Sequence, residues 1–573
     1  MKITKQIISA LLATAMLTSF AGCTKTVVTS EIVKTGTEAT TSIISGTTTT
    51  VENGSESENK DDKKENNKTS SSKSSKKDKT SSNKTSGSNK TSSANKGGTS
   101  VAAPSTTHDS NKGELKVENA GKDENADYSA KGTVTISVDT ARATDYEALF
   151  DSLKAVYKDI NIKFDYFSHA GGEDSAAEYL STRAAAGKLP DIVWDDAGKM
   201  PLYIQQGWVY PLDDFVKGDP EFKYVPDNLK RDYTYGGKLY ALPHQAHYEE
   251  TLINLDVLEA TNQDLPSLAW TTADFEQYLK KAANNKYSGI EMLHMMDEML
   301  CNAFYPEAGR YGYNPTTQRF DVKGFVESVK YLVKLRAIPN LEAWALRRSS
   351  TGGKTDYEIK FNTTNSMGAF NKGLTLFHGV GTWELADAAN RWSNMNWTMW
   401  TVPQHKNNMG SMPVHVDHCF MTSTCENPET AFQVLRYITY STEGNIARLS
   451  MYDKENAGKY ATINTLYYPT TTSPEVAAKF KSLPKATETD VYLFENIGKS
   501  MRFDFIKIVP GWTDIVANYI TDPRNQACDG TAANVEPILK EMENKVNVAI
   551  EKQWKDFNTK LAKVQAEFKP KHK

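Results

Sequence analysis

Residues 52–93 contain no Ala, Val, Ile, Leu, Met, Phe, Trp, Tyr or Cys. A segment without apolar side chains cannot bury enough surface to offset the entropy that ordering costs, which excludes a folded core there. Ser, Thr, Asn and Lys dominate this part of the sequence instead. We therefore expect residues 23–130 to form a disordered, solvated tether rather than a domain.

Cysteine and several catalytic signatures are also scarce or missing. Five cysteines occur in 573 residues, with no Cys-x-x-Cys pair and no zinc-finger spacing. No Gly-rich phosphate loop and no Gly-x-Ser-x-Gly nucleophile elbow occurs, so we expect no cofactor and no metal. Apart from the first cysteine, four remain: Cys301, Cys419, Cys425 and Cys528. They allow three disulfide pairings among which the sequence does not choose, and buried free thiols are the alternative.

A basic face on the folded part is missing too. The chain has a formal net charge of −4, yet residues 60–96 alone carry eleven Lys against four Asp or Glu. The remainder is therefore clearly acidic and cannot neutralise phosphates. This excludes nucleic acid as an expected partner.

The N-terminus has the pattern of a secretory signal. Lys2 and Lys5 precede an apolar run from Ile7 to Leu17, which is too short to span a bilayer as a mature helix. Ser19-Phe20-Ala21-Gly22-Cys23 is similar to a bacterial lipobox, although Phe20 stands where Leu is usual. We expect residues 1–22 to be a lipoprotein signal peptide and Cys23 to be acylated, palmitate included, at the outer face of the membrane. An ordinary signal peptide with an incidental cysteine is the alternative.

Folded sequence is expected from about Gly132, where alternating Val and Ile residues predict a strand. A helical pattern and a second alternating segment, 160–166, follow and complete a βαβ unit. Pro190 to Trp194 reads as the next strand. We expect an α/β fold with a parallel sheet whose carboxyl-end loops face a ligand. The polar residues at those ends are Asp139, Thr140, Arg142, Asp195 and Asp196.

The stretch from Phe370 to Glu384 is the most informative one in the sequence. Gly373 closes a small-residue turn, and the apolar run Leu374–Phe377 predicts a buried strand. Gly379 and Gly381 then open the backbone ahead of Trp383, so we expect an indole at a cleft. A core tryptophan after a bend is the alternative interpretation.

This stretch resembles the strand-to-tryptophan segment of extracellular solute-binding proteins of the maltose-binding type, the receptors of ABC importers. Four further segments resemble motifs of that family in the same order, and the resemblance as a whole spans residues 132 to about 555. They are Gly187-Lys188-Leu189-Pro190-Asp191-Ile192, Gly207-Trp208-Val209-Tyr210-Pro211-Leu212-Asp213-Asp214, Gly236-Gly237-Lys238-Leu239-Tyr240-Ala241-Leu242-Pro243 and Pro510-Gly511-Trp512.

The resemblance implies a solute-binding domain over residues 131–573, built as two discontinuous α/β lobes around a hinged ligand cleft of the type II periplasmic-binding-protein kind. Lobe 1 would take about 132–245 and 405–445. Lobe 2 would take about 246–404 and 446–520, and C-terminal helices would occupy about 521–565.

The resemblance also implies a ligand site. It adds His247, Tyr305, Trp383 and Trp512 to the residues at the strand ends. Trp383 and Trp512 would stack on sugar rings. His247 falls where the maltose-type receptors have a carboxylate, which argues against maltose itself.

His415-Val416-Asp417-His418 is the only run with a metal-like composition. In a strand, His415 and Asp417 would point one way and His418 the other, so the three cannot share one metal from one face. We expect a polar lining of the cleft instead.

The implied function is that of a lipid-anchored, monomeric, extracytoplasmic receptor that binds a carbohydrate and delivers it to an ABC transporter permease. It would bind without catalysing a reaction. Two alternatives remain open: an anchored carbohydrate-active enzyme with paired carboxylates, and a surface protein that uses this fold for a non-sugar solute.

Overall fold

The computed structural model describes residues 126–140, 143–168, 174–195, 198–454, 456 and 466–569. These residues belong to one compact unit, which spans residues 98–573. The expected signal peptide, Cys23 and nearly all of the expected tether lie outside the described residues. The folded part begins slightly earlier than expected, because the ring of Tyr128 already packs against that of Tyr157, with centroids 5.4 Å apart.

The described strands range from two to thirteen residues in length. In chain order they are β1 (Gly132–Asp139), β2 (Ile160–Phe167), β3 (Ile192–Asp195), β4 (Thr234–Tyr235), β5 (Lys238–Leu239), β6 (Leu242–Asn254), β7 (Ser288–Ile290), β8 (Tyr313–Asn314), β9 (Arg319–Phe320), β10 (Ser350–Thr351), β11 (Lys354–Thr355), β12 (Thr375–Gly381), β13 (Trp397–Trp400), β14 (Pro413–Met421) and β15 (Met501–Arg502).

Helices occupy much of the chain between the strands. In chain order they are α1 (Ala143–Val156), α2 (Ser175–Ala185), α3 (Met200–Gln205), α4 (Asp213–Val216), α5 (Asp227–Asp232), α6 (Leu255–Ala260), α7 (Thr272–Ala282), α8 (Met296–Met299), α9 (Cys301–Phe304), α10 (Lys323–Arg336), α11 (Asp356–Phe361), α12 (Gly368–Asn371), α13 (Ala388–Arg391), α14 (Pro428–Thr439), α15 (Thr442–Ser450), α16 (Pro474–Ser482), α17 (Glu488–Glu495), α18 (Trp512–Ile515), α19 (Thr521–Asp529) and α20 (Ala532–Glu567).

Nine of the described strands form one mixed sheet, with the order β2-β1-β3-β14-β6-β12-β7 and with β13 on β6 and β15 on β14. The βαβ unit is confirmed, since β1 pairs in parallel with β2 and β3. The α/β fold class expected from the sequence is therefore confirmed. None of the described helices combines the length and apolar content needed to cross a membrane.

Strand β6 connects the two ends of this sheet. Its first half pairs with β14, while its second half pairs with β12 and β13. All thirteen of its residues are buried. Side chains from distant parts of the chain therefore meet around β6.

Local sequence signals explain several element boundaries. Thr271 caps α7 in a reciprocal capping box with Asp274, as the Thr-x-x-Asp spacing predicts. Gly373 closes its turn with φ 69°, a conformation that favours glycine. One expectation is wrong: Gly379 and Gly381 do not leave the strand, because they pair with Thr251 and Glu249 of β6.

Candidate functional site

Trp383 lies at the end of β12, in a short 3₁₀ helix that covers Thr382–Asp387. Its side chain is 40% exposed, while most other tryptophans of the described part are buried. The indole folds back over Gly381, and a methyl group at that position would overlap the ring. The indole of Trp383 can occupy this position only because Gly381 has no side chain.

Two imidazoles flank this indole edge to face. The ring centroid of Trp383 lies 4.8 Å from that of His415 and 6.3 Å from that of His247. The two histidines are directly opposite each other on β14 and β6. Residues that are opposite each other on paired strands project on the same face of the sheet. Both imidazoles therefore lie on one face, and there they contact the indole of Trp383.

Each imidazole is paired with a carboxylate from the opposite strand. His247 Nε2 lies 3.1 Å from Asp417 Oδ2, and His415 Nε2 lies 2.9 Å from Glu249 Oε1. Glu249 itself is opposite Gly381 on β12. The area around the indole thus offers both acceptors and donors for hydrogen bonds.

A buried charge network lies behind His247. Lys507 Nζ lies 2.6 Å from Asp417 Oδ1 and 2.9 Å from Asp504 Oδ2, and Arg502 pairs with Asp504. Burial alone would raise the pKa of Asp417, but the ammonium of Lys507 and the ring of His247 hold that pKa well below its usual value. Asp417 therefore stays ionised.

The ionised carboxylate has a consequence for His247. An ionised Asp417 can only accept, so Nε2 of His247 carries the proton that it donates. Nδ1 is buried and has no hydrogen-bond partner among the described residues. In the neutral ring this nitrogen is a hydrogen-bond acceptor.

The polar residues expected at the ends of β1 and β3 lie at one edge of the mixed sheet. Only some of them belong to the described residues. Asp139 ends β1, and the Thr140 hydroxyl lies 3.5 Å from its Oδ1. Asp195 ends β3 and is opposite His418 on β14, three residues from His415. Arg142, Asp196 and the side chain of Asp195 lie outside the described residues.

Tyr305 contacts residues of α10 rather than the indole of Trp383. Its Cβ approaches Gly324 of α10, and the ammonium of Lys323 lies 5.5 Å from its ring centroid. These contacts place it against α10, so the structure does not bring Tyr305 together with Trp383.

Trp512 is buried, with 4% of its surface exposed. Its ring is stacked with Phe320 at 5.8 Å and contacts Phe505 at 5.0 Å and Tyr313 at 5.4 Å. Aromatic side chains already cover the faces that a sugar would use. In this conformation Trp512 is a packing residue, and its role as a second platform stays a prediction.

The run His415–His418 lines the site without forming a metal centre in the described part of the chain, where no group of three or more His, Cys, Asp or Glu side chains could hold a metal. His415 and Asp417 bond to Glu249 and His247 of β6, which the sequence does not predict. His418 lies against Tyr233 with ring centroids 5.1 Å apart. Burial lowers the pKa of His418 to about 3, so this ring stays neutral.

Sequence reasoning missed Glu249, Lys507 and Asp504. Glu249 has a signal, since it follows His247 by two residues and therefore shares its strand face. The network behind Asp417 has none, because Lys507 is 90 residues away in the chain. Only the tertiary fold brings these groups together.

Comparisons with known proteins agree with this architecture. The family described as bacterial extracellular solute-binding protein matches residues 143–488, more than half of the chain. None of the curated proteins matches the chain.

Three solved structures share the fold at low sequence identity. An ABC substrate-binding protein from Listeria monocytogenes in complex with cycloalternan has 16% identity and a TM-score of 0.51, over 74% of this chain and 99% of that one. A sugar transporter protein from Rhizobium etli in an open conformation has 16% identity and a TM-score of 0.55, over 72% and 99%. The sugar-binding protein MalE from Xanthomonas citri has 14% identity and a TM-score of 0.54, over 76% and 99%.

The mixed sheet, the order of the motifs and the extent of the family match agree with one another. The chain belongs to the family of bacterial extracellular solute-binding proteins.

Proposed function

We propose that this protein is the carbohydrate-binding receptor of an ABC importer, with an oligosaccharide as its solute. The observation that carries the proposal is the exposed indole of Trp383, surrounded by two imidazole–carboxylate pairs. An indole face covers the C–H face of a sugar ring, while carboxylates and imidazoles bind its hydroxyls. The three structures described above, each named for sugar or ABC substrate binding, support this solute class.

A thermal-shift screen tests the solute class. The chain begun at Thr24 is melted with linear trisaccharides, amino acids and short peptides, because a ligand that binds only the folded state raises the melting temperature by mass action. We expect stabilisation by one or more of the trisaccharides. Stabilisation by peptides or amino acids alone would contradict the proposal, and release of reducing ends from a stabilising sugar would favour the enzyme alternative.

The proposed delivery to a permease requires a position at the membrane. The signal pattern and Cys23 support attachment through a diacylated cysteine, with residues 23–130 as the proposed tether to the monomeric receptor. The variant Cys23→Ser should stay unprocessed or appear in the medium, whereas the wild type should sediment with membranes. A wild type found mainly in the medium with a different N-terminus would contradict this part.

A further inference from the structure

Arg310 is held in a fixed position by three neighbours. It lies in a 3₁₀ turn, Arg310–Gly312, between α9 and β8. Its guanidinium carbon lies 5.1 Å from the ring centroid of Tyr311 and 4.9 Å from that of Phe503, and its Nε bonds to Glu298. A guanidinium between two rings with Nε occupied has little freedom to reorient.

The same contacts place Arg310 beside the candidate site. Phe503 lies 5.4 Å from the ring of His415, which in turn contacts Trp383. Burial would lower the pKa of Arg310, but Glu298 and, more weakly, Glu249 keep it above its usual value. Glu249 is the carboxylate bonded to His415, so Arg310 and the indole border one polar area.

Two donor groups of Arg310 are open. The guanidinium uses only Nε for its hydrogen bond to a described residue, and the side chain is 30% exposed. Glu249 likewise bonds through Oε1, and its Oε2 has no hydrogen-bond partner among the described residues. The terminal nitrogens of Arg310 and Oε2 of Glu249 thus have no hydrogen-bond partner, including each other, among the described residues.

The backbone beside Arg310 is strained. Tyr311 has φ 59°, which is rare for a bulky aromatic residue. Its ring is kept in place by Phe325 at 5.7 Å and by Trp512 at 6.3 Å. Packing therefore maintains a backbone conformation of Tyr311 that is costly by itself. In this conformation the Tyr311 ring lies against the guanidinium of Arg310.

We propose that Arg310, together with Glu249, contacts the ligand and selects sugars with two adjacent hydroxyl groups. The guanidinium fork donates hydrogen bonds to both hydroxyl oxygens, and Glu249 Oε2 accepts a hydrogen bond from a hydroxyl group while the sugar ring lies on Trp383. The surrounding carboxylates already balance the positive charge of Arg310, so a neutral sugar is favoured over an acidic one. The assignment depends on the proposed carbohydrate function.

The test uses the trisaccharide, among cellotriose, xylotriose, mannotriose and maltotriose, that stabilises the wild type most. Its affinity and those of its mono-deoxy analogues are measured by calorimetric titration for the wild type, Arg310→Lys and Arg310→Met. Arg310→Lys keeps the charge opposite Glu298 but loses the fork. Arg319→Lys is the matched control, because Arg319 belongs to the neighbouring hairpin and pairs with exposed Glu551.

We expect Arg310→Lys and Arg310→Met to lower the affinity about tenfold or more, and Arg319→Lys to leave it unchanged. The loss should shrink for a deoxy analogue that lacks a contacted hydroxyl. Unchanged affinity, or an equal loss for every analogue, would overturn the role of Arg310. If no trisaccharide binds the wild type, the proposed function itself fails, which is a separate outcome.

Discussion

At the scale of single residues, exposure separates the two tryptophans that the sequence presents as equivalent. Trp383 is 40% exposed beside two histidines, whereas Trp512 is 4% exposed among aromatic rings. An exposed aromatic side chain contributes to binding when a ligand covers it, while a buried one contributes mainly to stability.

We expect Trp383→Ala to lower the affinity for the bound sugar by about thirtyfold or more, with a melting temperature close to that of the wild type. Trp512→Ala should instead cost about 3–5 kcal/mol of unfolding free energy. Calorimetric titration and denaturant unfolding of both variants measure this. A Trp383→Ala variant that binds as tightly as the wild type would show that the indole is no platform.

Gly381 gives a second test of the same indole. Its φ of −90° suits any residue, so an alanine there costs nothing in the backbone and acts only by displacing the ring of Trp383. We expect Gly381→Ala to weaken sugar binding about tenfold, as measured by titration. Gly379→Ala is the matched control, since the nearest neighbours of a methyl group there are the flexible side chains of Met296 and Met299.

A double-mutant cycle makes this prediction specific. Adding Gly381→Ala to the Trp383→Ala variant should cause no further loss of affinity, because the ring that the methyl group displaces is already gone. Additive losses would mean that Gly381 acts through something other than the indole.

At the scale of elements, the two faces of β6 differ in how their polar side chains are hydrogen-bonded. His247 and Glu249 project towards Trp383 and have polar partners. Glu250, on the other face, is 1% exposed, and neither of its oxygens has a hydrogen-bond partner among the described residues. Burial, with the nearby charges of Asp490 and Glu249, raises the pKa of Glu250 well above its usual value.

This shift predicts how stability depends on pH. Below pH 4.5, the usual pKa, Glu250 is protonated in both the folded and the unfolded state, so it adds no pH dependence to the stability. As the pH rises further, the unfolded chain ionises while the folded one stays protonated, so the unfolding free energy falls by about 1.4 kcal/mol per pH unit until the raised pKa is reached. The ionised Asp417 does not contribute in this range, since its pKa is lowered.

We therefore expect Glu250→Gln to gain stability relative to the wild type as the pH is raised from about 5 to 7. Urea unfolding at several pH values measures the difference, and Glu259→Gln on the exposed side of α6 is the control. A difference between Glu250→Gln and the wild type that does not change with pH would contradict a protonated Glu250.

At the scale of the whole molecule, β6 and β14 connect the two ends of the sheet, and the site lies where they pair. The sequence predicts two lobes on either side of this region. A ligand that contacts both lobes would favour a closed arrangement by its higher affinity for it.

We expect small-angle scattering to give a smaller radius of gyration at saturating sugar than without sugar. The Trp383→Ala variant at the same sugar concentration should show less of this change, because less of the ligand is bound. A wild-type profile that is identical with and without saturating sugar would contradict closure.

The sequence alone determined the local structure. Alternating apolar residues indicated β1 and β2, the Thr-x-x-Asp spacing indicated the start of α7, and Gly373 indicated its turn. These signals depend on neighbours within a few residues, where periodicity, capping and allowed φ values act directly.

Only the tertiary structure decided which of the candidate side chains meet. The pairs His247–Asp417 and His415–Glu249 join residues 170 and 166 positions apart, and Lys507 joins the first pair from a third segment. Trp512 is buried because Phe320 and Phe505 pack against it, which its own Pro-Gly-Trp motif does not show. Contacts between distant segments depend on how whole elements pack, so no local pattern in the sequence specifies them.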